Sequence, residues 1–334
     1  MRPGDVEPTT DRKGAGRDPG ASGPRPTGRA SNETRGRRTH NRPKGHRMRL
    51  RDVEPEVRDL THLDWSESAV SSATGGSYLK ARFGDGPAAT YYKLSCYDEV
   101  NGIYGHECVN ELIAARLMDV LCVRHVPYRL VHARVRIGGR EHLTWLAESS
   151  SFRARGESKT SLARFYGWNH LDGEGRIAFC RRFGWMQDIQ KAMLVDYLIA
   201  NRDRHGGNFE VLKSIDGSLR LAPLFDNGLS LCFSTGSAAQ LHAIDPLQDI
   251  VANNYLGTRS LEQNLVEFVP PDLPLARLQA IHEETITRGL APALEHAVDG
   301  VGGQELLGFL WRMIWERWCR YEDLRNSGLF QAQS

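Results

Sequence analysis

The sequence predicts an α+β fold in two parts: a small, mostly antiparallel β part over residues 66–148 and a larger helical part over 149–330. Three observations predict it. β-prone runs at 78–83, 88–95, 128–135 and 141–147, separated by glycine-bearing turns, are confined to the first part. Apolar residues at helical spacing dominate the second part, as far as Trp311, Trp315 and Trp318 at i, i+4, i+7. Between them, residues 194–231 pass from an apolar helix to a polar loop and then to a hairpin.

A chain of 334 residues has ample core for stability without cross-links. Its net charge of +2 hides an uneven balance. Residues 1–50 carry 13 Lys/Arg against 5 Asp/Glu, and the remainder carries 30 against 36. That first stretch is rich in Gly, Pro, Arg, Ser and Thr and almost lacks aliphatic residues. It cannot bury enough apolar surface to offset the entropy of ordering it, so residues 1–60 read as a disordered basic tail, with ordered sequence starting near Ser66. A basic arm of this kind can bind nucleic acid. The composition favours a solvated tail instead, or a start codon placed too early, with Met48 opening the product. The six cysteines form no Cys-x-x-Cys pair and read as reduced thiols of a cytoplasmic protein. No apolar run reaches the ~18 residues of a membrane span, and the N-terminus has no apolar signal core.

The segment 71–77 ends in Gly75, Gly76 and Ser77. A glycine-bearing turn before a strand can lay backbone N–H groups against phosphate oxygens. It lacks the Gly-x4-Gly-Lys-Ser/Thr pattern, and an ordinary hairpin turn is the competing reading. After the Gly84-Asp85-Gly86-Pro87 turn, Lys93 sits inside an aromatic and aliphatic run. A buried ammonium without an acid is costly. Glu111, on a helix expected over 109–122, is the chosen partner, with Glu107 as the alternative. A lysine pointing to solvent is the competing reading. Two strands about the Gly138-Gly139 turn follow, and 144–148 is expected to cross between the two parts. In a nucleotide-binding reading, the backbone at Leu146 and Glu148 would meet the base. Residues 149–159 read as a mobile polar linker, and Trp168 and Phe179 as core.

The central stretch carries the chemistry. A helix bearing Met193, Leu194, Tyr197 and Leu198 breaks into the loop 201–208; a hairpin about Asp216-Gly217 then leads to Asp226-Asn227-Gly228. Phosphoryl transfer needs a carboxylate beside the acceptor hydroxyl and oxygen ligands for a hard cation on the phosphates. Asp203 suits the first task; Asn208 and Asp226 suit the second. Gly206 and Gly207 are expected to let the loop turn tightly. His205 has no second His at ligand spacing and is assigned to bracing the loop at the nucleotide site. Arg202 and Arg204 steer phosphate, pair with acids or stay solvated. Asp-x4-Asn alone also fits a solvated turn. The order strand lysine, helix glutamate, loop, second aspartate is what points to transfer chemistry. Beyond it, 232–253 should cover the substrate side, and two long helices are expected near 273–296 and 304–326, with the tryptophan stripe as core.

The stretch RDRHGGN…APLFDNGLSL, from Arg202 to Leu231, resembles the C-terminal lobe of HipA-like kinases. It is more distantly similar to the Asp-Arg-His-x-x-Asn loop of phosphatidylinositol 3-kinase-type enzymes. Asn110-Glu111 is similar to the pair that opens the corresponding helix in the family. The resemblance extends from about Ser71 to the C-terminus. It implies a two-lobed kinase fold, ATP and Mg²⁺ as cofactors, and transfer of the γ-phosphoryl to a Ser/Thr hydroxyl of a protein. Several family members are toxins of toxin–antitoxin pairs, so it also implies an antitoxin partner. The alternatives are a kinase of the same fold acting on a lipid or small molecule, and a nucleotide-binding pseudoenzyme serving as an interaction module. The sequence departs from the family in three places. The 71–77 segment matches only loosely, and Asp226 is followed by Asn227 rather than Phe. Full-length members carry a further N-terminal subdomain for which the expected ordered region leaves no room, which sets antitoxin docking and DNA-complex formation apart from the rest of the resemblance.

Overall fold

The computed structural model describes residues 52–68, 77–275 and 281–330. Its larger sheet joins β1 (Val53–Asp59), β2 (Trp65–Ser68), β3 (Ser77–Phe83), β4 (Thr90–Asp98), β6 (Tyr128–Ile137) and β7 (Arg140–Ser150) in the order β1-β6-β7-β4-β3-β2, with β5 (Gly102–Tyr104) paired to β4. Every pairing is antiparallel except β1 with β6. Side-chain alternation gives the sheet two faces. Val131, Ala133, Val135 and Leu146 pack with Leu79, Ala81, Tyr92 and Leu94 on one face. Tyr128, Leu130 and Ala147 join the main core on the other.

Helix α1 (Glu107–Val120) covers that second face and is buried continuously from Glu107 to Met118. A helix enclosed on all sides needs no polar stripe. It packs against β4, β6 and β7 as well as against the helical part, so the two parts form one unit. The helical part consists of α2 (Leu162–Asn169), α3 (Arg176–Arg182), α4 (Met186–Leu198), α5 (Ala238–His242), α6 (Leu261–Phe268), α7 (Glu283–Thr287), α8 (Ala291–Leu294) and α9 (Gly303–Asn326). The fold is thus α+β, with the expected strands and the expected hairpin of β9 (Glu210–Lys213) and β10 (Leu219–Leu221). Gly217 takes φ +84° at its turn, and Ser218 N–H donates to the Asp216 carboxylate at 2.9 Å. Among the described residues, no helix is long and apolar enough to cross a membrane.

Several expectations are corrected. Residues 53–59, assigned to the tail, form β1: Asp52 is ion-paired to Arg116 of α1 at 2.8 Å, and Leu60 and Leu63 just beyond are buried. A composition average over 60 residues conceals a strand of seven. The linker ends in β8 (Ser158–Ser161), whose first two residues it supplies and which pairs with β9 in a second sheet of three strands. Trp168 is 69 % exposed, whereas Phe179 is fully buried. Where a long helix is expected near 273–296, the described residues 281–296 form the two short helices α7 and α8. Gly289 at φ +76° stands between them and Pro292 lies inside α8, so a single helix could not continue. On α9, Trp318 is core, but Trp315 is 44 % exposed and stacks on Trp311 at 5.8 Å.

Candidate active site

On β4, Tyr92 and Leu94 face the sheet's own cluster, so Lys93 between them points to the opposite face, beneath α1. Its Nζ lies 2.5 Å from Glu111 Oε1 and 2.9 Å from Asp226 Oδ1, and 5.7 Å above the ring of Tyr128. Of the two acids weighed as partners, Glu111 is the one that meets Lys93; Glu107, one helical turn earlier, accepts from Cys96 N–H at 3.3 Å. Lys80 is the cross-strand neighbour of Lys93, and its Nζ stands 3.6 Å from the other oxygen of Asp226. Burial works against the Lys93 ammonium, but Asp226 and Glu111 outweigh it and hold its pKa well above the lysine range. Burial likewise opposes the Asp226 charge, and Lys93 and Lys80 overcome it and hold that carboxyl below the usual range.

Asp226 takes φ +60°, a left-handed conformation unusual for a non-glycine residue. Its N–H donates to the Tyr128 hydroxyl at 3.4 Å, and the next N–H, of Asn227, donates to Glu111 Oε2 at 2.9 Å. Asn110 donates to the carbonyls of Gly228 and Ser230. Helix α1 therefore holds the lysine with one residue and the chain after Asp226 with its neighbour.

The loop 201–208 leaves α4 through Ala200 at φ +49°. Arg204 is buried and forks onto Asp196 of α4 at 2.7 Å; it also donates to the Phe225 carbonyl at 2.9 Å and to Asn227 Oδ1 at 2.7 Å. A buried guanidinium requires such satisfaction. Here it ties the loop to the residues on either side of Asp226. Arg202 is exposed, and its N–H donates to the Leu229 carbonyl at 3.0 Å. Within the loop, Asp203 N–H donates to Asn201 Oδ1 at 3.1 Å, and Asn208 Nδ2 donates to the Asp203 carbonyl at 2.7 Å. The Asp203 carboxylate accepts from Asn253 Nδ2 at 3.0 Å on one oxygen and lies 3.8 Å from His205 Nε2 on the other. His205 Nδ1 accepts from Gly207 N–H at 2.9 Å, which leaves its proton on Nε2. Neither loop glycine has a positive φ, so tight turning is not what they supply. A Cβ on Gly206 would stand 2.7 Å from Ala163 Cβ and 2.8 Å from the Tyr255 ring, so that glycine serves close packing.

Of the remaining sequence candidates, Gly75 and Gly76 lie outside the described residues, and the chain resumes at Ser77, opposite Tyr97. Leu146 and Glu148 do not form a crossing between the parts. Leu146 is fully buried in the sheet, and Glu148 is paired on both sides, with Tyr92 and with Arg129. The Glu148 carboxylate is held between Arg58 at 2.5 Å and Arg129 at 3.1 Å. At Glu148 both edges of the strand are taken and none is left for a base; β7 continues to Ser150, and the chain leaves the sheet only after it. Lys80, Tyr128 and Asn253 were missed. Their roles depend on register or on contacts made far along the chain, and no local pattern marks them.

The oxygen donors offered to a hard cation are those of Asn208 and of Asp226, whose two oxygens face Lys93 and Lys80. Among the described residues, no group of three or more His, Cys, Asp or Glu side chains could hold a metal. Asp226 offers a carboxylate, and Asn208, with its amide nitrogen committed to Asp203, offers its oxygen. Mg²⁺ takes one or two such ligands and completes its shell with phosphate and water.

No family model matches the chain, and no curated protein matches it. Solved structures do. The proinflammatory kinase CtkA of Helicobacter pylori is similar with a TM-score of 0.53 at 13 % identity, covering 84 % of this chain and 100 % of that one. The toxin HipA of Shewanella oneidensis MR-1, solved with HipB and operator DNA, gives a TM-score of 0.40 at 16 % identity, covering 80 % of this chain and 68 % of that one. The likeness to CtkA establishes the fold: the chain folds as that kinase does.

Proposed function

We propose that the chain is a phosphotransferase that moves the γ-phosphoryl of Mg-ATP to a Ser/Thr hydroxyl of a protein. The observation that carries the reading is Lys93. Its ammonium bridges Glu111 of α1 and Asp226, and Arg204 ties Asp226's neighbours to the loop that bears Asp203. A strand lysine held by a helix carboxylate beside an aspartate and a catalytic loop is the constellation that phosphoryl transfer uses.

In this reading Lys93 and Lys80 bind the phosphates, and Tyr128 and Glu111 keep Lys93 and the chain at Asp226 in place. Asn208 and Asp226 would hold Mg²⁺, which neutralises charge on the phosphate oxygens. Asp203 accepts a hydrogen bond from the acceptor hydroxyl, orients it and takes its proton as the new O–P bond forms and the bond from the γ-phosphorus to the bridging oxygen breaks, releasing ADP. His205 and Asn253 flank that carboxylate.

The test is incubation with labelled Mg-ATP, following label on the chain itself, on lysate proteins and on extracted lipids and metabolites. Asp203→Asn should lower transfer by roughly 10²- to 10⁴-fold while ATP affinity stays within a few-fold. Equal transfer by the variant defeats the assignment of Asp203. Label confined to lipids or metabolites defeats the protein acceptor while keeping the kinase.

A further inference from the structure

Asp203 is held from outside its own loop. Asn253 lies 50 residues further along, yet its side-chain amide donates to Asp203 Oδ1 at 3.0 Å. The backbone makes this contact a built one. Asn253 N–H donates to the Arg202 carbonyl at 2.7 Å, and Tyr255 N–H to the Arg204 carbonyl at 2.9 Å, so both residues flanking Asp203 are bonded to the same distant segment. That segment is fixed in turn. Ala252 N–H donates to the Arg259 carbonyl at 2.9 Å, Asn254 Nδ2 to the Thr258 carbonyl at 2.9 Å, and Arg176 stacks on the Tyr255 ring at 4.3 Å while donating to its carbonyl at 3.0 Å. The Asp203 N–H is taken by Asn201, so the backbone and one carboxylate oxygen are both anchored.

We infer that Asn253 is a positioning residue that sets the orientation of the Asp203 carboxylate, and that the segment 252–255 forms the acceptor side of the site. The inference rests on the kinase reading above. An acceptor hydroxyl within hydrogen-bond reach of Asp203 comes within about 8 Å of the Asn253 amide, since two bonds of ~3 Å and the width of the carboxylate separate them. The acceptor is therefore presented between this segment and the loop. A carboxylate free to rotate would spend most of its time misaligned, which lowers turnover without weakening nucleotide binding.

Asn253→Ala, Asn253→Asp and Asn253→Gln are compared with the wild-type chain for kcat and for KM of ATP, using labelled Mg-ATP and scoring phosphate transferred to the chain or to water. Melting temperatures are taken in parallel. Asn253→Ala should lose about 10- to 100-fold in kcat with KM for ATP within twofold. Asn253→Asp has the same shape but replaces the donor with a second carboxylate, so it should lose at least as much, and Asn253→Gln, which restores a donor, should recover part. A merely structural role gives the reverse order: Asp close to wild type, Ala worst, and kcat falling together with the melting temperature. That order, or an unchanged kcat in Asn253→Asp, overturns the inference and leaves the kinase reading standing. A wild-type chain that binds Mg-ATP and transfers nothing overturns both.

Discussion

At the scale of single residues, the chemistry is visible where a residue type contradicts its surroundings. Lys93 in an apolar strand and Glu111 inside a buried helix are expensive unless they meet, and they do. With Glu111 only 2 % and Lys93 15 % exposed at the side chain, removing the cation leaves the Glu111 carboxylate unpaired in the interior and Asp226 with Lys80 alone. Lys93→Met is expected to cost roughly 3–5 kcal/mol in a denaturant melt. Lys93→Met with Glu111→Gln should cost less than the two single changes summed, and additivity would deny the coupling. Glu107 supplies a pH signature. Burial pushes its carboxyl up to about 7, so the folded state holds a proton that the unfolded chain releases near pH 4.5. The stability tied to that proton is complete below about pH 4.5 and is lost as pH rises through 7. Glu107→Gln keeps an acceptor for Cys96 N–H and removes the titration. It should match wild type near pH 5 and exceed it at pH 8, by on the order of 3 kcal/mol at most. Parallel stability curves across that range would show that Glu107 does not titrate there.

At the scale of elements, what could be read from sequence was what is decided locally. The hairpin of β9 and β10 follows from Asp216-Gly217, and the turn between β6 and β7 from Gly138-Gly139, both at positive φ. What depends on a distant partner was illegible. Strand β8 exists because β9 is there to pair with it, and Lys80 reaches Asp226 because β3 and β4 take one particular register. Residues 281–296 show the opposite failure: apolar spacing suggests one helix, but Gly289 separates α7 from α8, and Pro292 sits in the first turn of the second. Helix α9 offers a test within a single element. A Cβ on Gly303 would overlap the Ala291 carbonyl oxygen, so Gly303→Ala must push α8 from α9 and should cost about 3 kcal/mol or more. Gly308, in the same helix, has nothing within 4 Å of its Cβ position, and Gly308→Ala should stabilise by about 0.5–1 kcal/mol. Thermal melts of the two variants should move in opposite directions; a common sign would mean that the contact between α8 and α9 is looser than described.

At the scale of the whole molecule, the kinase-type fold was legible because its order along the chain mirrors its order of parts, whereas the N-terminal edge was not. Strand β1 joins the sheet in parallel with β6, a pairing that no turn announces, and it is secured from the far side of α1. Arg116 binds both oxygens of Asp52 at 2.8 Å and donates to the carbonyls of Ile286 and Arg288 at 2.9 Å. One buried guanidinium thus ties the first strand, the central helix and the chain around α7. Chains begun at Met48 and at Thr61 differ by this whole arrangement. The second loses β1 and Asp52 and leaves Arg116 without its carboxylate. At roughly 3–5 kcal/mol for the orphaned charge and 2–4 °C per kcal/mol for a body of this size, the charge alone lowers melting by about 10 °C, and the Thr61 chain should fall further below the Met48 chain than that. Asp52→Asn in the longer chain reads the ion pair alone and should account for a large part of that fall, the remainder belonging to the strand. Equal melting of the two chains would make β1 an ornament on the sheet and Arg116 a residue satisfied by carbonyls alone.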